Sequence, residues 1–389
     1  MKAMKVGILT HSIDTGTEGA GLTSVGIVTK HLVENLVQIG DQEVEFVFIH
    51  SMKMPSEIYT SQEEIIFPHN LYSLTLSQMK EFIKELLSKG IDMLHVPDTG
   101  RHSPPIPLAF TDKNIKLVAT NHGMANLSLP NELCDIHGLK GKFTAYKEFL
   151  KWRWFIGKRL TSMIVNSESM KQILSSKLSI SKEKVHVIHH GVGKEYTPLN
   201  PEVCRNKLKE KYGIDFPFIF HLSAYQCKRK NIFGLLEAMK TLKSNDKLVV
   251  GGSKPPEVKE YVAKNGLKEK VVFSGFIEDD DLPLFYYAAD VFAFPSFYEG
   301  FGMPIIESMA CGTPVLTSNV YSMPEIGGDA ALYVNPYNVH EITAILDKIL
   351  SNKKLQNELI EKGLKRAKEF SWKKCAEEHL KVYKASMRK

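Results

Sequence analysis

Residues Phe294 to Pro314 read FPSFYEGFGMPIIESMACGTP, and the fold turns on this stretch. An apolar run, Val291 to Phe294, has strand character and stops at Pro295-Ser296. Glu299-Gly300-Phe301-Gly302 then reads as a turn, and Met303 to Cys311 as a helix ended by Gly312. Pro304 suits the first helical turn, where its missing N–H removes no intrahelical bond. Gly300 and Gly302 permit positive φ and close approach of a ligand, so free N–H groups and the positive helix end would face an anion such as phosphate. Glu299 stands before the helix and Glu307 about one turn inside it, so the two carboxylates can serve different parts of one ligand. Carboxylates accept hydroxyl hydrogen bonds well. The pattern points to a nucleotide-sugar site, one glutamate reaching a sugar and the other a ribose diol. Taken alone, Glu-Gly-x-Gly fits equally an ordinary strand-loop-helix unit in which Glu299 is solvated and Glu307 complements the helix dipole.

The same alternation extends outward on both sides. Strands are expected at Phe218 to Leu222, Lys247 to Val250, Val271 to Ser274, Val315 to Thr317 and Ala331 to Val334, separated by helices near Ile232 to Leu242, Glu257 to Lys264 and Leu282 to Ala289. Upstream, strands are expected at Lys5 to Thr10, Val44 to His50, Met93 to Val96, Leu117 to Thr120, Met163 to Asn166 and Val185 to His189. Helices near Leu22 to Ile39, Leu76 to Ser88, Lys142 to Leu160 and Ser169 to Leu178 separate several of them. Such alternation implies parallel sheets with crossover helices. Between Tyr196 and Pro217 the pattern weakens into YTPLNPEVCRNKLKEKYGIDFP, whose prolines and charged segment read as a domain boundary. Helical patterns at Val339 to Leu350, Lys354 to Phe370 and Trp372 to Ser386 exceed what one sheet face needs, so the last is expected to pack elsewhere. The expected architecture is α/β. Two doubly wound Rossmann-like domains, residues 1–199 and 200–370, face a cleft, and a C-terminal helix follows at 371–389.

At 389 residues and 43% hydrophobic content, the chain suffices for two ordinary globular cores. Cys134, Cys204, Cys227, Cys311 and Cys375 are odd in number, widely spaced and free of any Cys-x-x-Cys pair, which fits a reducing compartment and gives no zinc pattern. The start, MKAMKVGILTHS, reads as a first strand rather than an export signal, because Asp14 and Glu18 soon follow. No apolar run nears the ~20 residues of a membrane span. A cytoplasmic protein is expected. Formal net charge is +6, modest for this length, so no nucleic-acid partner is implied. The charge is uneven, however. Lys140, Lys142, Lys147, Lys151, Arg153, Lys158 and Arg159 stand against Glu148 alone, interleaved with Phe143, Tyr146, Phe149, Trp152, Trp154 and Phe155. This segment fits either a core helix with inward aromatics and solvated lysines or a peripheral contact with an anionic membrane.

Three further features bear on ligands. Gly19-Ala20-Gly21 precedes the helix starting at Leu22 and approaches a dinucleotide fingerprint, but Ser24 stands where the third glycine is needed. Lys228-Arg229-Lys230 precede the helix near Asn231, and Gly251-Gly252 end a strand; basic residues beside helix ends suit a diphosphate, or form a solvated turn. Asp279-Asp280-Asp281 invites a metal reading, yet it precedes a helix, where acidic residues are favourable without any ion. No metal or other cofactor is expected.

Glu299, seven intervening residues and Glu307, set between SGFIEDDDLPLFYYAADVFAFPSFYEGFG and CGTPVLTSNVYSMPEIGGDAALYVNP, resemble the family 4, or group 1, retaining glycosyltransferases. The likeness covers essentially the whole second half and is looser in the first, at GAG (19–21), TNHG (120–123), VNSES (165–169) and VIHHGV (187–192). It implies the GT-B fold, in which the final helix crosses back to the first domain. It also implies that Glu299 meets the donor hexose and Glu307 the nucleotide ribose. The family's basic residue before the first helix of the second domain maps to Lys230, and its first-domain histidine to His122. The expected catalytic residues are therefore His122, Lys230 and Glu299. The expected donor-binding residues are Gly19, Gly21, Lys228, Gly251, Ile277, Gly300, Phe301, Gly302, Met303 and Glu307, with the base read by backbone near Ile277. One departure stands out: many members carry an arginine five or six residues before the lysine, where this chain has Ala224 and Tyr225, so Lys228 is the expected substitute. The resemblance implies transfer of a hexose, mannose or glucose favoured, from a GDP- or UDP-linked donor to a hydroxyl of a glycan or lipid-linked sugar, with retention. A non-catalytic nucleotide-sugar-binding protein, or a GT-B epimerase or phosphorylase, is the alternative.

Overall fold

The computed structural model describes residues 3–14, 23–51, 62–67, 69, 74–99, 114–130, 133, 146, 159–223, 228–252 and 255–388. The chain divides into two compact units. The first comprises Met1–Leu127, Gly138–Gly191 and Ser371–Lys389; the second comprises Ser128–His137 and Val192–Phe370.

Unit 1 holds a sheet of seven strands, β1 (Met4–Leu9), β2 (Val44–His50), β3 (Glu63–Ile66), β4 (Met93–Val96), β5 (Lys116–Asn121), β6 (Ser162–Val165) and β7 (Val185–Val187), in the order β3-β2-β1-β4-β5-β6-β7. Every pairing is parallel. All but the edge strand β3 read as largely apolar runs, as strands of a sheet covered on both faces do. Helices α1 (Ser24–Ile39), α2 (Leu76–Ser88) and α3 (Glu168–Lys177) open on side-chain caps from Thr23, Thr75 and Ser167, and Thr75 with Gln78 forms a capping box.

Unit 2 holds six parallel strands, β8 (Phe218–Leu222), β9 (Lys247–Gly251), β10 (Val271–Gly275), β11 (Val291–Phe294), β12 (Val315–Ser318) and β13 (Ala331–Val334), in the order β10-β9-β8-β11-β12-β13. The order reverses between β8 and β11, the switch point at whose C-terminal edge such sheets bind ligands. Around it lie α4 (Pro201–Tyr212), α5 (Ile232–Thr241), α6 (Pro256–Lys264), α7 (Leu282–Ala288), α8 (Met303–Ala310), α9 (Val339–Leu350) and α10 (Lys353–Ala367). One core cluster joins Phe220, Tyr286, Phe292 and Phe294 to Phe301, Ile305, Ile306 and Met309 of the β11–α8 segment.

The last helix, α11 (Trp372–Met387), belongs to unit 1, as the family resemblance implies. It packs on α1, with the rings of Trp372 and His31 stacked 4.9 Å apart. The Tyr383 hydroxyl lies 2.8 Å from His95 Nδ1, and Ser386 Oγ lies 2.8 Å from Ser162 Oγ. At the start of this helix the backbone runs so close to Gly191 that a Cβ there would fall 2.1 Å from Trp372 N. In unit 2, Val192 N donates to Phe370 O at 3.3 Å.

Two segments differ from expectation. Tyr196 to Pro217 contains α4, which starts at an Asn200 cap with Pro201 in its first turn and ends at Gly213 in the left-handed region. It buries Cys204 and Leu208. β3, a four-residue edge strand, has too little apolar pattern to announce itself. The basic aromatic segment 140–159 lies outside the described residues apart from Tyr146 and Arg159. Among the described residues, no helix is long and apolar enough to cross a membrane.

Candidate functional site

β11 ends at Phe294, and the segment Pro295 to Gly302 carries the chain from the C-terminal edge of the sheet into α8. Gly302 is the N-cap residue with φ of 105°, a conformation that a side chain rarely adopts. It offers no side-chain cap, and Pro304 occupies the first turn. Among the described residues the N–H groups of Gly302 and Met303 have no acceptor, although Gly302 O accepts from Ile305 N at 2.9 Å. Two free donors and the positive end of the helix dipole thus meet at one place, as anion binding requires. Ser322, from the segment after β12, steadies the turn by donating to Glu299 O at 2.9 Å and Phe301 O at 2.8 Å. The Phe301 ring is buried and stacks edge-on with Phe370.

Glu299 accepts at Oε1 from Ser296 Oγ and pairs through the same oxygen with Arg229 Nη1, both at 3.0 Å. Arg229 Nη1 also donates to Tyr298 O, and Phe297 N donates to Arg229 O at 2.9 Å. The segment after β8 is in this way joined to the segment after β11 across the switch point. Of the three consecutive cations, Arg229 is committed to the glutamate. Lys230 Nζ lies 3.4 Å from Leu222 O and over the Phe294 ring at 5.2 Å. Burial lowers its pKa, with Arg229 acting in the same sense while Glu299 and Glu307 oppose. An arriving anion would relieve that penalty. The Lys228 side chain has no partner among the described residues.

Glu307 faces inward from α8 and is 9% exposed. Tyr286 of α7 donates to its Oε2 at 2.9 Å. Burial pushes the carboxyl up to about 7, outweighing the Tyr286 hydrogen bond and the Lys230 charge, which favour the anion. Gly251 ends β9 where a Cβ would meet Ile277 Cδ1 at 2.7 Å and Phe220 Cε2 at 3.1 Å, so the strand end and the segment carrying Ile277 pack without room for a side chain.

The structure therefore gathers Lys230, Glu299, Gly300, Gly302, Met303 and Glu307 around the β11–α8 turn. Gly19 and Gly21 lie outside the described residues, as do Ala224 and Tyr225. His122 follows β5 in unit 1. Its Nε2 lies 2.7 Å from Pro97 O, which fixes the proton there because a carbonyl only accepts, and its Nδ1 lies 3.4 Å from His190 Nε2. Burial lowers the pKa of both rings. Asp281 binds Lys211 and, at 2.7 Å, the Tyr212 hydroxyl, and no group of three His, Cys, Asp or Glu among the described residues is placed to hold a metal. Sequence reasoning overlooked Tyr286 and the Arg229–Glu299 pair. Both are contacts between different elements, and no local pattern announces them.

Residues 205–366 match the family described as Glycosyl transferases group 1, and residues 25–196 match Glycosyltransferase Family 4. O-antigen chain mannosyltransferase B of Escherichia coli is 36% identical over 198 residues, which are 49% of this chain and 51% of that protein. Serotype-specific mannosyltransferase WbdA of Escherichia coli is 31% identical over 247 residues, 61% of this chain and 30% of that protein. The match spans about half the length of the first relative and under a third of the second. A solved glycosyltransferase of Rickettsia africae ESF-5 shares the fold, with a TM-score of 0.75 over 100% of this chain and 99% of that one, at 21% identity.

Proposed function

The chain belongs to the family 4, or group 1, glycosyltransferases of GT-B fold, and on that premise we propose that it transfers a hexose, mannose first, from a nucleoside diphosphate sugar to an acceptor hydroxyl with retention of configuration. The acceptor is a glycan or a lipid-linked sugar. The observation that carries this reading is the β11–α8 turn: two carboxylates of different environment flank an uncapped helix start at Gly302, with Lys230 beside them. In this proposal Glu307 accepts from the ribose hydroxyls, and the Gly302 helix end with Lys230 and Lys228 takes the diphosphate. The Glu299 carboxylate meets the hexose. As the glycosidic bond breaks, negative charge grows on the departing diphosphate, and donors already in place stabilise it without reorganising. The names of the two mannosyltransferase relatives favour mannose as the sugar.

Thermal denaturation with GDP, UDP, GDP-mannose and UDP-glucose tests the donor, because a ligand that binds only the native state raises the midpoint. Transfer to a synthetic glycan panel, with the new linkage assigned by NMR, tests the reaction. A shift with one nucleotide and its sugar, and an α-mannoside from GDP-mannose, are expected. No shift with any of the four would remove the proposal.

A further inference from the structure

Three consecutive cations follow β8, and among the described residues only Arg229 is paired with a carboxylate. Arg229 is 13% exposed at its side chain, as is Glu299, and the two lie 3.0 Å apart. Ser296 Oγ reaches the same carboxylate oxygen, Oε1, at 3.0 Å. One oxygen of Glu299 is thus held by two protein donors. Arg229 Nη1 also donates to Tyr298 O, so one guanidinium nitrogen binds the peptide that leads into Glu299 and the carboxylate that follows it. The backbone closes the arrangement in the other direction, Phe297 N donating to Arg229 O at 2.9 Å.

We infer that Arg229 is a positioning residue for donor-sugar recognition, acting through Glu299 and not on the phosphates. It fixes the turn and the Oε1 edge of the carboxylate, so that Oε2 is presented in one orientation to a hexose hydroxyl. The chemistry explains why the neighbours differ. A planar guanidinium can satisfy a carbonyl and a carboxylate together and keeps its charge when half-buried, whereas an ammonium is a single point donor. Lys230 and Lys228, which have no such pair, are left for the diphosphate. The inference rests on the reading of Glu299 as the sugar-binding carboxylate.

Isothermal titration of the full chain with GDP against GDP-mannose, and UDP against UDP-glucose, tests both. Arg229→Ala should weaken the sugar-bearing donor by at least about 10-fold while leaving the bare nucleotide within about twofold. Glu299→Gln should show the same pattern, and the double variant should be no worse than the weaker single one, because the two residues act as a unit. Arg229→Lys should restore part of the loss, and thermal midpoints identify any variant that is merely unfolded; Arg229→Lys then serves as the readable substitution. Equal loss of bare nucleotide and donor in Arg229→Ala would make Arg229 a phosphate ligand and overturn the inference. Unchanged donor binding in Arg229→Ala, with donor binding lost in Glu299→Gln, overturns it as well while sparing the proposed function. Unchanged donor binding in Glu299→Gln removes the functional reading and this inference together.

Discussion

Glu307 is a buried carboxyl whose pKa is pushed up to about 7 by desolvation, and two pH effects of opposite sign follow. Below the ordinary carboxyl range it is neutral in both folded and unfolded chains, and its contribution to stability is complete. As pH rises toward 7 the unfolded chain releases this proton before the folded one does, so stability falls, by about 3 kcal/mol in all at roughly 1.4 kcal/mol per unit. The difference in unfolding free energy between wild type and Glu307→Gln, followed from pH 4.5 to 7.5 by urea denaturation, isolates the group and should fall by that amount; a flat difference rejects the assignment. Ribose hydroxyls prefer the ionised acceptor, so nucleotide affinity should rise between pH 6 and 8 in wild type and lose that slope in Glu307→Gln, as titration calorimetry would read. Lys230→Met should lower kcat by about 100-fold with a smaller change in KM, the signature of a group that acts on charge developed in the transition state. A near wild-type kcat would move that role to Lys228. Lys230 and Glu307 are legible as candidates from their spacing to glycines and helix starts. Burial of Glu307 by Tyr286 is not, because Tyr286 belongs to another helix, and its hydroxyl reaches Glu307 only when α7 and α8 pack.

At the scale of the element, α8 is bounded by two glycines of positive φ, Gly302 at 105° and Gly312 at 82°. An alanine at either position carries strain of about 1–3 kcal/mol. Gly302→Ala should also reduce nucleoside diphosphate affinity, since it disturbs the free N–H groups at the helix start. Gly312→Ala, at the far end, should lose stability alone. Thermal midpoints and calorimetric titration of both variants check this, and equal losses of affinity would show that the helix start is not the anion site. The β11–turn–α8 unit was readable because strand, glycines and Pro304 lie side by side in sequence and agree. α4 was not, although Asn200-Pro201 and Gly213 are proper start and stop signals, because its exposed face is mostly charged but also carries Val203, and only Cys204 and Leu208 mark the buried one. Prolines that begin a helix look, in sequence, like prolines that break one. β3 eluded reading for a different reason: with Ile65 buried and Ile66 exposed, it has no alternation long enough to count.

For the whole molecule, the doubly wound order of both sheets follows from the strand-helix alternation; the surplus of helices at the end of unit 2 marks α11 as packing elsewhere, and its place in unit 1 is what the family resemblance implies. Removing residues 371–389 should therefore weaken unit 1, uncovering the α1 and β5 surfaces that Trp372, Leu380 and Tyr383 now bury, each side chain worth about 1.5–3 kcal/mol when fully covered. Unit 2 should keep its nucleotide affinity. Protection against hydrogen exchange, mapped on the truncated protein, checks this, and protection lost evenly across both units would contradict it. The place of α11 in the chain has one more consequence, for the moment of synthesis. On the ribosome, α11 emerges only after every strand of unit 2, while β1 to β7 of unit 1 have long been exposed. The unit begun first is thus completed last, and until Tyr383 reaches His95 the α1 and β5 surfaces wait uncovered, so it is the nascent first half, and not the second, that keeps apolar surface in water the longer.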